Sequence, residues 1–304
     1  MMEHTRRAFH SPISPDWLKG DMLLISTQRA IDHVRSYANG PPVPDRARLT
    51  INFHPDTLHR SEWMIEALAR EGFYRSQFET GNSNGGLSAH PGGDRWNWES
   101  RIFGAAYDNA HPSLRPKYGA LNYLERATGG SQRFGSCHLR MRPHVLPRST
   151  FCYPDSHWEP TNFGVADQMG LISLAEKNRP GVDELDSYIE AHIHEPVNLV
   201  EDVDAIVLDP SYRETEIETA ASILGCAVEW HAGFRMDANS IPACVSYRGQ
   251  KVANLAASLL ENGTLTPRQI GLARKTGKAD QKLLKRVWHC VAKFGNPRAL
   301  TTVS

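Results

Sequence analysis

The sequence predicts a mixed α+β protein. Strands outnumber helices through the middle of the chain, and the elements do not alternate regularly as they do in a doubly wound sheet. No GxGxxG opens a helix after a strand, and neither GxxxxGK[ST] nor GxSxG occurs, so the most readable nucleotide and nucleophile motifs are absent.

Residues 16–38 read as an amphipathic helix, stopped by Asn39-Gly40-Pro41-Pro42. LTINFH (49–54) alternates as a strand, with Leu49, Ile51 and Phe53 inward and Thr50, Asn52 and His54 on the other face. A helix over 61–71 carries Ile65 and Leu68 and ends at Gly72. Residues 72–95, rich in Gly, Asn and Ser, read as one long loop opening with Tyr74, Arg75, Gln77 and Phe78; loops of that length usually serve a function or stay disordered. A helix over 96–106 leads to RPKYGALNYL (115–124), to RFGSCHLRM (133–141), which sets Cys137, Leu139 and Met141 against Ser136, His138 and Arg140, and to RSTFCYPDS (148–156). A helical stretch near 165–177, strands over 188–194 and 203–208, a helix over 213–224, a strand over 226–230 and a helical C-terminus follow.

At 304 residues, 40% hydrophobic and 22% charged, the chain can bury a proper core. The first residues lack the apolar stretch of a signal peptide, and no run of about 18 apolar residues occurs. A cytoplasmic protein without a membrane span is expected, with export by a specialised route left open. Five scattered cysteines without CxxC spacing argue against a disulfide framework and a structural zinc site. Net charge is zero but polarised: residues 246–304 hold eleven Lys/Arg and two acids, whereas residues 155–218 hold sixteen acids and three bases. Such a basic tail can track phosphates or pack on the acidic half of its own chain.

The stretch from Asp186 to Asp209 carries the chemistry. With period two, Ile189, Ala191 and Ile193 share one face of a strand while Glu190, His192 and His194 share the other. A glutamate between Ile189 and Ala191 in a buried strand needs a reason to be there.

A first strand ending in His54, then a helix, GFYRSQ, RFGSCHLRMRPHVLPRSTFCYPDS and YIEAHIHEPV before a further strand resemble the order of elements in ADP-ribosyltransferases. Toxins of the DarT type are the nearest characterised likeness. SQFETGNSNGG, RPKYGALN and RFGSCHLR also resemble a bacterial family known only as a domain of unknown function, over residues 45–240. The resemblance implies a mixed, largely antiparallel split-sheet catalytic domain at 45–240, between an N-terminal helical segment (1–44) and a basic helical appendage (245–304). It implies an NAD-dependent mono-ADP-ribosyltransferase, toxin-like and with a neutralising partner, with nucleic acid slightly favoured over protein as acceptor.

Carried over by residue, His54 matches the position that hydrogen-bonds the adenosine ribose of NAD, and Glu190 matches the catalytic glutamate. Tyr74 or Tyr118 would stack on nicotinamide, with Arg75 and Gln77 in the same cofactor-binding stretch, and Ser149 and Thr150 fall near the Ser/Thr position. Arg75, Arg115 or Arg148 could hold the pyrophosphate by forked contacts. The chemistry suits these residue types, because loss of nicotinamide leaves positive charge on the ribose that a carboxylate stabilises. Arginine-modifying members carry Glu or Gln two positions before the catalytic glutamate; Tyr188 stands here, which disfavours arginine and offers a flat base a packing partner.

The C-terminal stretch sets Leu284, Val287, Trp288 and Val291 on an apolar stripe, with Lys282, Lys285, Arg286, His289 and Lys293 around it. Val252, Leu255, Ala256 and Leu259 mark a preceding helix, and Thr266-Pro267-Arg268 a capped helix start. Two further classes stay open: a metal-dependent hydrolase using His192, His194 and His231 with Glu190, and a non-enzymatic nucleic-acid-binding module built on the basic tail.

Overall fold

A computed structural model of the chain describes residues 21–59, 62–81, 88–277 and 279–297. Eight strands form the main sheet: β1 (Arg48–Phe53), β2 (Lys117–Asn122), β3 (Cys137–Met141), β4 (Ser149–Tyr153), β5 (Asn162–Val165), β6 (Ile189–Ile193), β7 (Val203–Leu208) and β8 (Ala227–Trp230). Their order is β8-β7-β3-β1-β2-β6-β4-β5. Every neighbouring pair is antiparallel except β7 and β8, which run parallel because helix α7 (Glu216–Ser222) connects them. The fold is therefore α+β with a mixed sheet. The split expected of that sheet is absent: β1, β2 and β6 are hydrogen-bonded in unbroken succession, joining the two sides into one sheet.

Period-two alternation decides what each face meets. Leu49, Ile51, Leu139, Ile189, Ile193 and Ile206 belong to the principal core, covered by α2 (Met64–Glu71), α5 (Leu171–Asn178) and α7. The opposite face carries Asn52, His138, Thr150, Glu190 and His192, and these too are buried. Two separate groups of helices cover it. At the β4 end, α1 (Asp21–Arg35) and α4 (Asp94–Ile102) pack Val34, Trp98 and Phe103 against Cys152 and Val165. At the β1 end stands a unit of α8 (Ile241–Arg248), α9 (Gln250–Ser258), α10 (Pro267–Lys275) and α11 (Gln281–Phe294), with its own core around Val252, Leu284, Val287 and Trp288. That core also takes in Phe234, Met236 and Leu185, so it gathers residues from well before the helices.

Within residues 72–95, where a continuous loop is expected, Ser76 closes a capping box with Glu79 and starts the short helix α3 (Gln77–Thr80). The centre of that Gly/Asn-rich stretch, residues 82–87, lies outside the described residues, as do residues 16–20 of the expected first helix and its whole preceding segment. Strand β5 and the four-residue helix α6 (Leu199–Asp202), capped by the Asn198 side chain, were not legible in the pattern. The cysteines are free thiols, four of them buried. Among the described residues no helix is long and apolar enough to cross a membrane.

Candidate active site

The gap between the two helix groups leaves a cleft of about 180 Å³ over β1, β2 and β6, and the Glu190 carboxylate lines it. Strand pairing places Glu190 opposite Ala120 on one side and Cys152 on the other, so its side chain rises from the centre of three strands. Ser156 donates to Glu190 Oε2 through its hydroxyl at 3.0 Å and its backbone N–H at 3.4 Å. His192 Nε2 lies 3.1 Å from Oε1, and the Cys152 thiol reaches Oε1 at 3.9 Å. Burial alone would push this carboxyl up. The His192 hydrogen bond, Arg95 and Ser156 outweigh it and hold Glu190 below the ordinary carboxylate range.

Behind Glu190 runs a chain of buried hydrogen bonds. His192 Nδ1 lies 3.1 Å from Thr150 Oγ1, Thr150 Oγ1 lies 3.0 Å from His194 Nε2, and His194 Nδ1 lies 2.8 Å from the Tyr107 hydroxyl. One assignment of protons satisfies every member: Tyr107 donates to His194, His194 to Thr150, Thr150 to His192, and His192 to Glu190. Burial, then His192, Lys117 and Arg148, lowers His194 well below its usual value, in keeping with an uncharged ring. The alternation of β6 thus yields a relay that orients the one imidazole touching Glu190.

The rest of the cleft combines rings and guanidinium groups. Arg95, at the start of α4, donates to Ser156 Oγ at 3.0 Å and lies 4.0 Å over the Tyr118 ring. Tyr118 donates to Glu99 at 2.9 Å, and Arg115 is bound to that same carboxylate at 2.6 Å. Tyr188 donates to Asp155 and meets Phe134 edge-on. Burial is the main reason that Asp155 stands above the ordinary carboxylate range. Trp158, 63% exposed, stands at the rim, and Arg133 and Lys285 complete the far wall.

Glu190, Tyr74, Gln77 and Tyr118 are brought together around the cleft. His54 is not among its lining residues. Its ring lies edge-on to Trp288, with centroids 4.8 Å apart, because α11 closes over the end of β1. Burial, then Arg274, His289 and Lys285, lowers His54 well below its normal value. Asn52, one turn of the pleat earlier, lines the cleft instead, with its amide spent on Thr128 and Gly135 carbonyls. Ser149 faces the other side and donates to Val145, while Thr150 serves the relay rather than the cleft. Arg75 pairs with Glu71 and Glu79, and Arg148 with Asp202 and the His194 and Pro196 carbonyls. With Arg115 held by Glu99, all three arginines proposed for a pyrophosphate have structural partners. His231 is remote from His192 and His194, its Nε2 being 2.8 Å from the Ser136 carbonyl. His289, placed by its spacing on the polar side of α11, is buried.

Arg95, Ser156 and Trp158 were missed. Their signals were faint: a Gly-Gly-Asp helix start before Arg95, and a Pro-Asp-Ser turn after β4. Cys152, Glu190 and His192 also form a cluster whose ligand atoms all lie within 4.8 Å of one another. Burial, then Glu190 and Asp155, raises the Cys152 thiol well above its usual value, so it stays protonated unless a cation displaces the proton.

No curated protein matches the chain. The family model described as "Protein of unknown function (DUF3626)" matches residues 48–176 and 172–294, which embrace the whole sheet, the cleft and the C-terminal helices. The chain belongs to that family.

Proposed function

We propose that the protein is an NAD-consuming mono-ADP-ribosyltransferase in which Glu190 is the carboxylate set against the ribose. The observation that carries this reading is a buried carboxylate, held ionised, that opens into a cleft walled by aromatic rings and guanidinium groups. In the reaction the bond between nicotinamide and ribose breaks, nicotinamide leaves with the electron pair, and the ribose becomes oxocarbenium-like. A fixed negative charge facing it lowers the barrier without reorganisation, which is the largest single term in such catalysis. The acceptor nucleophile then forms a bond to the same carbon and loses its proton.

Trp158 at the rim is better exposed for stacking than Tyr118, one face of which Arg95 already covers. Arg133, paired with Asp186, and Lys285 are the cationic groups at the far wall of the cleft, and a pyrophosphate there would have to compete with Asp186 for Arg133. Nucleic acid remains the favoured acceptor. Lys285 lines the cleft from α11, and Lys282 and Arg286 on the same helix are exposed, so the basic stripe begins at the cleft itself.

Incubation with labelled NAD and separate pools of DNA, RNA and protein tests the reading. Nicotinamide release is expected, with label entering one pool, and Glu190→Gln is expected to slow release by about 100-fold or more. Undiminished release in that variant would remove Glu190 from the chemistry.

The Cys152, Glu190 and His192 cluster favours a second reading, metal-assisted hydrolysis. One equivalent of zinc in protein purified without a histidine tag, lost in Cys152→Ser, would transfer the site to that class.

A further inference from the structure

A second, smaller cavity of about 80 Å³ adjoins the Glu190 cleft. The two share Tyr74, Gln77 and Tyr118 as a common wall. The smaller chamber rounds the first residue of β2 and lies against α2. Met64, Ala67, Leu68 and Phe73 supply its apolar sides.

Its polar groups are unusual. Lys117 is 2% exposed, and its ammonium donates to the Ser113 carbonyl at 2.7 Å. His59 Nδ1 and Gln77 Oε1 are buried, line the same chamber and have no hydrogen-bond partner among the described residues. Leaving such atoms unpaired is costly, and a fitting ligand would relieve that cost. Burial, opposed by Glu79 and then reinforced by Arg148, lowers Lys117 to about 8, so its charge too is poorly compensated.

We propose that this chamber is a purine-base subsite, in which Gln77 accepts from an exocyclic amine while His59 and Lys117 donate to ring nitrogens between apolar walls. A mixed set of donors and an acceptor beside flat hydrophobic sides suits a heteroaromatic ring. A phosphate would want donors alone, and it would meet the Gln77 carbonyl oxygen and the Glu71 carboxylate, while Arg75, which also lines the chamber, is already paired with Glu71 and Glu79. The base has two sources, the adenine of NAD or a base of a nucleic-acid acceptor. Only the first rests on the transferase reading above.

Calorimetric titration with AMP tests the subsite directly. AMP is expected to bind, and to bind about tenfold more weakly in the near-isosteric Lys117→Met and in His59→Leu, each loss being that of one hydrogen bond. Ala67→Trp, which fills the chamber, is expected to abolish binding. Thermal melts identify any variant that fails to fold, and the two smaller substitutions keep the test open if the tryptophan does. If the same variants weaken NAD but not nicotinamide mononucleotide, the base is that of the cofactor. If they weaken an adenine-containing oligonucleotide and spare NAD, it belongs to the acceptor. AMP binding that is absent, or unchanged in folded variants, overturns the subsite even where Glu190-dependent nicotinamide release persists. AMP binding lost in the variants of a protein that never releases nicotinamide keeps the subsite and overturns the transferase.

Discussion

Two groups of buried ionisable residues, one on the sheet around Glu190 and one just past the end of β1, are completed in opposite ways. Around Glu190 the charge is braced from behind by the His192, Thr150 and His194 relay and faces a cleft in front. Around Asp56, just past β1, the space in front is filled. Arg274 of α10 lies 3.3 Å from one carboxylate oxygen, Tyr212 donates to the other at 2.8 Å, and the helix comes so near that a Cβ on Gly271 would stand 1.6 Å from Asp56 Oδ2. Glycine is required there by the close approach alone. A buried carboxylate by itself therefore distinguishes nothing. What separates a reactive group from a structural one is whether its partners leave it an open side.

The contrast can be broken most sharply at Arg274. Arg274→Met strands a buried carboxylate and is expected to cost about 3–5 kcal/mol at pH 8. Burial raises Asp56 to about 6, above its ordinary 3.8. The folded state holds this proton more tightly than the unfolded one, so as pH rises from about 4 to 6 the group removes stability, by about 3 kcal/mol in all. The variant's penalty should accordingly shrink at pH 5, where Asp56 can take up a proton. Urea titrations at both pH values measure this, and equal losses would mean that Asp56 is not the charge Arg274 serves.

Thr150→Val tests the other cluster. Two imidazole nitrogens lose their partner, with an expected cost of about 1–3 kcal/mol. Because Glu190 is held low partly by His192, its ionised form is present above its depressed value and is lost as pH falls through it. Freed from its anchor, His192 should hold it less firmly, moving the acid limb of nicotinamide release upward. A limb that does not move separates the relay from Glu190.

His54→Leu is expected to have the smallest effect, about 1 kcal/mol from the lost contact with Trp288. Turnover should stay within a few-fold, since the imidazole lies outside the cleft. A fall of a hundredfold in a well-folded variant would restore His54 to the site and dissolve the contrast between the two clusters.

Charge polarity divides in the same manner. Of the ion pairs among the described residues, Lys293 with Asp183 joins the basic tail to the acidic stretch, while Lys251, Arg268, Lys275, Lys282 and Arg286 stay exposed. Lys275 also lies 4.7 Å over the Trp63 ring, and with Arg268 it adds to the backbone hydrogen bond that lowers Glu216 of the acidic stretch, so self-packing engages part of the tail.

What could be read from the chain alone was whatever has a short period. Alternation in β1, β3 and β6 assigned faces correctly, including Glu190, His192 and His194 on one side, and the stripe of α11 named Leu284, Val287 and Trp288 as core. Turn chemistry at Gly72 marked the end of α2, where the residue is left-handed. These signals are local because backbone geometry repeats every two or 3.6 residues. Which distant groups meet was decided only in three dimensions. Ser156 lies 34 positions from Glu190, and Trp288 lies over His54 from the other end of the chain. Such pairings depend on how helices pack over the sheet, and no repeat in the sequence records that. So strand alternation was enough to turn the carboxylate toward one face, and tertiary packing alone left that face open at Glu190 and closed it at His54.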